Sequence, residues 1–74
     1  MKATYDPVAD AVYIYLVDHI GPGDVKATYS LDPVEEVGQI YLDFDTAGRL
    51  VGIEILDASK KVPTELLRNA QIIG

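Results

Sequence analysis

Ile40-Tyr41-Leu42-Asp43-Phe44, then Asp45-Thr46-Ala47-Gly48, then Arg49-Leu50-Val51-Gly52-Ile53-Glu54 run on without interruption. The first stretch has period two, with Ile40, Leu42 and Phe44 on one face and Gln39, Tyr41 and Asp43 on the other. A polar break of four residues ending in glycine reads as a hairpin loop built on a type I turn, Gly48 taking the positive φ. This loop length pairs Phe44 with Arg49, Leu42 with Val51 and Ile40 with Ile53, so apolar faces meet. A slip of one residue sets Leu42 against Gly52 and Ile40 against Glu54, turning one strand's apolar set to water. The chain is therefore expected to build an antiparallel sheet.

Towards the amino terminus, Lys2 to Tyr5 reads as a short strand stopped by Asp6-Pro7, and Asp6 to Asp10 as a turn. Ala11 to Val17 is β-branched and aromatic throughout, with Val12, Ile14 and Leu16 on one side and Tyr13, Tyr15 and Val17 on the other. That pattern fits an interior strand covered on both faces. Gly21-Pro22-Gly23-Asp24 breaks the chain, and Val25, Ala27, Tyr29 and Leu31 then alternate with Lys26, Thr28 and Ser30, a strand with one wet face. Asp32-Pro33 is turn-like and Glu35-Glu36 acidic. Beyond Leu56 the chain leaves the sheet, and Pro63 suits the first position of a helix with Glu65 in its early turn. Val62, Leu66, Leu67, Ala70 and Ile73 make its apolar stripe. The expected fold is α+β: one domain over residues 1–74, a four- to five-stranded antiparallel meander over about 2–56, and one helix over about 63–70.

A chain of 74 residues and 8.1 kDa with no cysteine has no covalent staple and a small core, so self-association, as a homodimer, is expected to supplement it. Its charge of -6 and pI near 4.4 disfavour nucleic acid and anionic membrane as partners and favour a basic protein. The amino terminus lacks a secretory apolar stretch, and no run approaches the ~20 residues of a membrane span. A soluble cytoplasmic protein is expected.

Two stretches carry a resemblance: Tyr5-Asp6-Pro7-Val8-Ala9-Asp10-Ala11-Val12-Tyr13-Ile14, and Asp43 through Ser59 with its Asp45-x-x-Gly48-x-x-x-Gly52-Ile53-Glu54-Ile55-Leu56-x-Ala58-Ser59 pattern. Together they resemble the small prokaryotic family catalogued as domain of unknown function 2283. The resemblance implies a cytoplasmic β-rich domain without an established activity, and some members look like the smaller partner of a toxin-antitoxin-like pair.

Asp6, Asp10, Asp43, Asp45 and Glu54 invite an acid–base or divalent-cation reading, because such chemistry needs clustered oxygens. Asp6, Asp10 and Asp45 equally suit turn positions where an aspartate bonds backbone amides. Glu54 lies mid-strand, solvated or paired with Lys26. His19 is the only histidine, read as a loop residue, and with no cysteine a zinc site is not expected. Ser30 and Ser59 lack a nucleophile-elbow context; Ser59 suits backbone bonding near the helix start. Gly52 reads as a place where a bulky side chain, Tyr41 opposite it, leans over the strand. Five of six aromatics are tyrosine, and Tyr13, Tyr15 and Tyr41 are the candidate interface. The resulting reading is a non-enzymatic protein-interaction module without cofactor or metal, an antitoxin-like partner of a basic toxin. The alternative is a small enzyme or ligand-binding domain using Asp6, Asp10, Asp43 and Glu54.

Overall fold

The computed structural model describes residues 1–31 and 39–74. Strands β1 (Lys2–Asp6), β2 (Ala11–Tyr15), β3 (Ala27–Leu31), β4 (Ile40–Phe44) and β5 (Leu50–Leu56) precede helices α1 (Ala58–Lys61) and α2 (Thr64–Asn69), and a last strand β6 spans Gln71–Ile72. The expected turns at Asp32-Pro33 and the acidic Glu35-Glu36 lie outside the described residues.

The chain forms one six-stranded mixed sheet in the order β3-β4-β5-β2-β1-β6. The five-stranded antiparallel part matches the expectation, but the connection is not a simple meander. The β1–β2 hairpin and the β3-β4-β5 meander join where β2 pairs with β5, placing the apolar Ala11–Tyr15 strand in the interior. The sixth strand, parallel to β1, pairs Thr4 with Gln71 and Tyr5 with Ile72. The helix expected over about 63–70 is α2, and a further short helix, α1, precedes it, the two separated by Val62 and Pro63 in extended backbone; Pro63 is the N-cap of α2 rather than its first helical residue. Ile73 thus follows a short exposed strand rather than continuing a helical stripe.

The hairpin register differs from that read off the sequence. Asp45 N–H bonds Arg49 C=O at 2.9 Å and Gly48 N–H bonds Asp45 C=O at 3.0 Å, so the loop proper is the three residues Thr46-Ala47-Gly48. Gly48 has φ +79° as expected, the left-handed position that ends a type I turn in such loops. Beyond this turn β5 carries one extra residue, Val51, between Leu50 opposite Phe44 and Gly52 opposite Asp43. Phe44 therefore faces Leu50 rather than Arg49, Leu42 faces Ile53 rather than Val51, and Ile40 faces Ile55 rather than Ile53. Shorter loop and bulge together shift the inner pairs by two residues, which preserves parity and keeps apolar against apolar.

Val12, Ile14, Ile53, Leu42 and Tyr29 share one face of the sheet, and Thr4, Tyr13, Glu54, Tyr41 and Ser30 share the other. The start of α1 is tied to the Tyr5–Val12 side through Asp10, which accepts both the Tyr5 hydroxyl at 2.9 Å and the Ser59 hydroxyl at 2.7 Å. Val12 and Ala58 are fully buried, and Val51 and Ala70 nearly so. Cover stops there: Ile14, Leu42, Ile53 and Ile55 are only half-buried, and Tyr29 and Leu31 are 60% and 49% exposed. β3 is thus exposed beyond the single wet face expected of it, and Leu16 and Val17, beyond the end of β2, are also exposed. Among the described residues no helix is long and apolar enough to cross a membrane.

Candidate functional site

The polar face of the sheet carries a continuous line of contacts over five strands. Lys2 Nζ on β1 lies 4.4 Å from the centroid of the Tyr15 ring on β2. Tyr15 meets Tyr13 edge to face, 4.7 Å between centroids and 66° between planes, a favoured arrangement for aromatic pairs. Tyr13 then reaches diagonally across β5, and its hydroxyl donates to Asp43 Oδ2 on β4 at 2.5 Å. The other oxygen of Asp43 accepts the Thr28 hydroxyl of β3 at 2.6 Å.

Gly52 makes this crossing feasible. A Cβ there would fall 2.6 Å from Tyr13 Cζ and 2.9 Å from Cε2, and closer still to the hydroxyl. The residue leaning over Gly52 is therefore Tyr13, from the neighbouring strand, and not Tyr41. Partial burial and the hydrogen bond to Asp43 push the Tyr13 phenol well above the ordinary tyrosine range, so it is a neutral donor at any physiological pH.

Tyr41 shares this face through Glu54, which is flanked by Tyr13 on one side and Tyr41 on the other. Tyr41 donates its hydroxyl to Gln39 Oε1. Glu54 is half-buried with tyrosines as its cross-strand neighbours and, of the two settings the sequence allowed it, does not take the pairing with Lys26; among the described residues the ion pair is Arg49 with Asp45, at 3.1 Å.

The remaining carboxylates work in turns. Asp6 Oδ1 accepts the backbone N–H groups of Val8 and Ala9 at 3.0 and 3.3 Å, closing the β1–β2 connection. Asp10 sits at φ +53°, a conformation aspartate tolerates better than most residues. It accepts the Ser59 N–H at 3.0 Å besides the Ser59 and Tyr5 hydroxyls, and its own C=O accepts Ala58 N–H. Asp10 thus satisfies the open first turn of α1 from a strand connection 49 positions away. Ser59 bonds this carboxylate rather than nearby backbone. The Ser59 and Tyr5 donors hold the Asp10 carboxyl below its ordinary range, and the same bond raises the Tyr5 phenol. Asp45 accepts Ala47 and Arg49 N–H at 2.9 Å each, and the Arg49 amide chiefly lowers its carboxyl.

The four candidate carboxylates do not converge. Asp43 and Glu54 share the tyrosine face, whereas Asp6 and Asp10 lie at the opposite end of the strands, four positions or about 13 Å along the sheet from the Lys2–Asp43 row. A separate cavity of about 250 Å³ is lined by Val17, His19, Ile20, Asp24, Asp45 and Val51, among others. It contains none of the four. Its carboxylates are engaged too: Asp24 accepts Gly21 N–H at 2.7 Å, and Asp45 caps the hairpin. Among the described residues no three His, Cys, Asp or Glu side chains gather as a metal group would require. Sequence reasoning missed Thr28 and Ser59 as partners of Asp43 and Asp10; both contacts are long-range in sequence, and a hydroxyl beside a strand gives no local signal of its partner.

The two sequence stretches singled out above therefore meet in space, Asp10 of the first, which also accepts the Tyr5 hydroxyl, binding Ser59 of the second, and Tyr13 of the first lying over Gly52 of the second. A family model described as "Protein of unknown function (DUF2283)" matches residues 2–59. The chain belongs to the DUF2283 family. Comparison with curated proteins finds no match, and neither does comparison with solved structures. Within this DUF2283 chain the motif positions have structural tasks: Asp45 and Gly48 shape the hairpin loop, Gly52 admits Tyr13, Ala58 is fully buried, and Asp10 with Ser59 ties α1 to the sheet.

Proposed function

We propose that the protein is a non-enzymatic interaction module of the cytoplasm that works as a homodimer and offers its acidic surface to a basic protein, such as a small ribonuclease-like toxin. The observation that carries this reading is the half-covered apolar face. Among the described residues only four apolar ones, two of them alanines, are buried, while Tyr29 and Leu31 stand out from the same face as Leu42 and Ile53. A 74-residue chain without staples gains the burial it lacks most simply from a second protein surface. The net charge of -6 adds long-range attraction for a basic partner.

The tyrosine face is less suited to be the adhesive surface. The hydroxyls of Tyr13 and Tyr41 are satisfied within the chain, and Tyr15 is stacked against Lys2 and Tyr13. The ligand-binding alternative, which needs Asp6, Asp10, Asp43 and Glu54 in one cavity, draws no support from their separation. Sedimentation equilibrium over the micromolar range tests the proposal: the expected mass is twice the 8.1 kDa of the chain, and 8.1 kDa at every concentration refutes the homodimer.

A further inference from the structure

The two edges of the sheet are unlike. At one, β6 is only two residues long. At the other, β3 presents five residues, Ala27-Thr28-Tyr29-Ser30-Leu31, with no proline and no charge. Short length, proline, charge and bulges are the devices that blunt an edge strand, and over these five residues the ladder with β4 is continuous.

Backbone direction identifies the groups on offer. Leu56 N–H bonds Gln39 C=O and Asp45 N–H bonds Arg49 C=O, so the odd-numbered residues of β4 turn their backbone towards β5. The even ones, Ile40, Leu42 and Phe44, turn theirs to β3, where their partners are Leu31, Tyr29 and Ala27. By alternation Thr28 and Ser30 direct their N–H and C=O groups outward, unpaired among the described residues.

This edge is self-complementary, and we propose that two copies of the chain join through antiparallel pairing of β3 with β3, centred on Tyr29. The proposal rests on the homodimer reading above and says where its seam lies. In this register Thr28 of one copy and Ser30 of the other exchange both backbone bonds, and two-fold symmetry repeats the pair, four bonds in all. Tyr29 faces Tyr29 of the second copy in the close, non-hydrogen-bonded position, aromatic to aromatic. The small Ala27 lies opposite the large Leu31, and Thr28 opposite Ser30 on the polar face. The side chains that become neighbours, Tyr29 and Leu31, are the two large apolar residues that β3 leaves exposed. Joining the edges makes one twelve-stranded sheet with a continuous apolar face.

Charge gives the second copy a signature different from that of a basic partner. Two chains of charge -6 repel, so raising salt from about 0.1 M to about 1 M, which shortens the screening length from about 10 to 3 Å, tightens this dimer. Binding of a basic protein would weaken.

The test compares the wild-type chain with Ser30→Pro and Tyr29→Lys by sedimentation equilibrium, with circular dichroism to confirm folding. Proline at 30 removes an outward N–H and spares the ladder to β4, a position edge strands tolerate. Lysine at 29 sets two like charges directly opposite in the seam, at a side chain already 60% exposed, and serves if the proline variant does not fold. The expected result is a dimer for the wild type and a folded monomer for the variants, with the Thr28 and Ser30 amides protected from hydrogen exchange in the dimer alone. Folded variants that remain dimeric, or a wild-type dimer in which those two amides exchange freely, overturn the seam and leave the interaction module standing with its copies packed face to face. A wild-type monomer at all concentrations overturns both self-association readings and leaves β3 to a strand of a different protein.

Discussion

Replacing Gly52 by alanine tests the crossing of Tyr13 over β5. The added methyl overlaps the phenol, with Cζ at 2.6 Å and Cε2 at 2.9 Å, so the ring must swing off the strand. Its hydroxyl then loses Asp43, a bond to a charged acceptor that contributes about 1.5–3 kcal/mol, nearer the lower figure for a half-buried group. Residual crowding adds about 1 kcal/mol, and the stiffer unfolded chain of the alanine variant returns about 0.4–1 kcal/mol. The net expectation is a loss of about 2 kcal/mol, or about 8–16 °C in Tm for a domain of this size. Urea unfolding followed by circular dichroism, at one fixed protein concentration because a dimer's stability depends on it, measures the change. The decisive comparison is Gly52→Ala in a Tyr13→Ala background, where the methyl meets no ring and the substitution should be neutral or stabilising. An equal loss in both backgrounds would show that Gly52 is needed for its own backbone and that the crossing argument is wrong.

Gly48→Ala should destabilise by about 1 kcal/mol although no atom lies within 4 Å of the new Cβ, since its φ of +79° is the whole cost; Gly48→Asn should cost less, and equal losses in urea unfolding would contradict this. The Asp10 and Asp45 carboxyls are lowered by folding from an ordinary value of 3.8, so their contribution to stability is fully present above that pH and is lost as pH falls from there through their folded values. Asp10→Asn should therefore flatten the acid limb of the stability profile followed by circular dichroism, and an unchanged limb would remove Asp10 from that account.

The strands and their faces were legible because period-two alternation survives any shift of two residues. That is why the hairpin reading put apolar against apolar while naming the wrong partners: the loop was one residue shorter than it looked and Val51 was extra, and these two shifts of one residue together restore parity. Gly52 was correctly read as a point of close approach, but the sequence offers a residue opposite, Tyr41, and not the diagonal neighbour whose length lets it cross a strand. Val62 and Ala70 fall outside α2 because both take extended backbone, which their apolar spacing with Leu66 conceals, and the four-residue α1 was too short to give a period. β6 left no signal, two residues being too few for a period. Asp6, Asp10 and Asp45 were identified as turn residues from their neighbours alone, whereas the capping of α1 by Asp10 depends on a contact 49 positions away, which only the assembled sheet provides.

The parallel pairing of β6 with β1 has a consequence for the order of assembly. The two tight hairpins, β1–β2 and β4–β5, each close a loop of a few residues, and their fusion through β2 and β5 brings the sheet together. Thr4 and Gln71 are 67 positions apart and meet through two pairs of a two-residue strand, so their union carries the largest closure entropy in the molecule for the least return. Docking of β6 belongs after the rest of the sheet exists, and its amides should exchange with solvent by local opening well before those of β2 and β5. The two ends of the chain are thus fastened to each other by the last and most readily undone joint in the sheet.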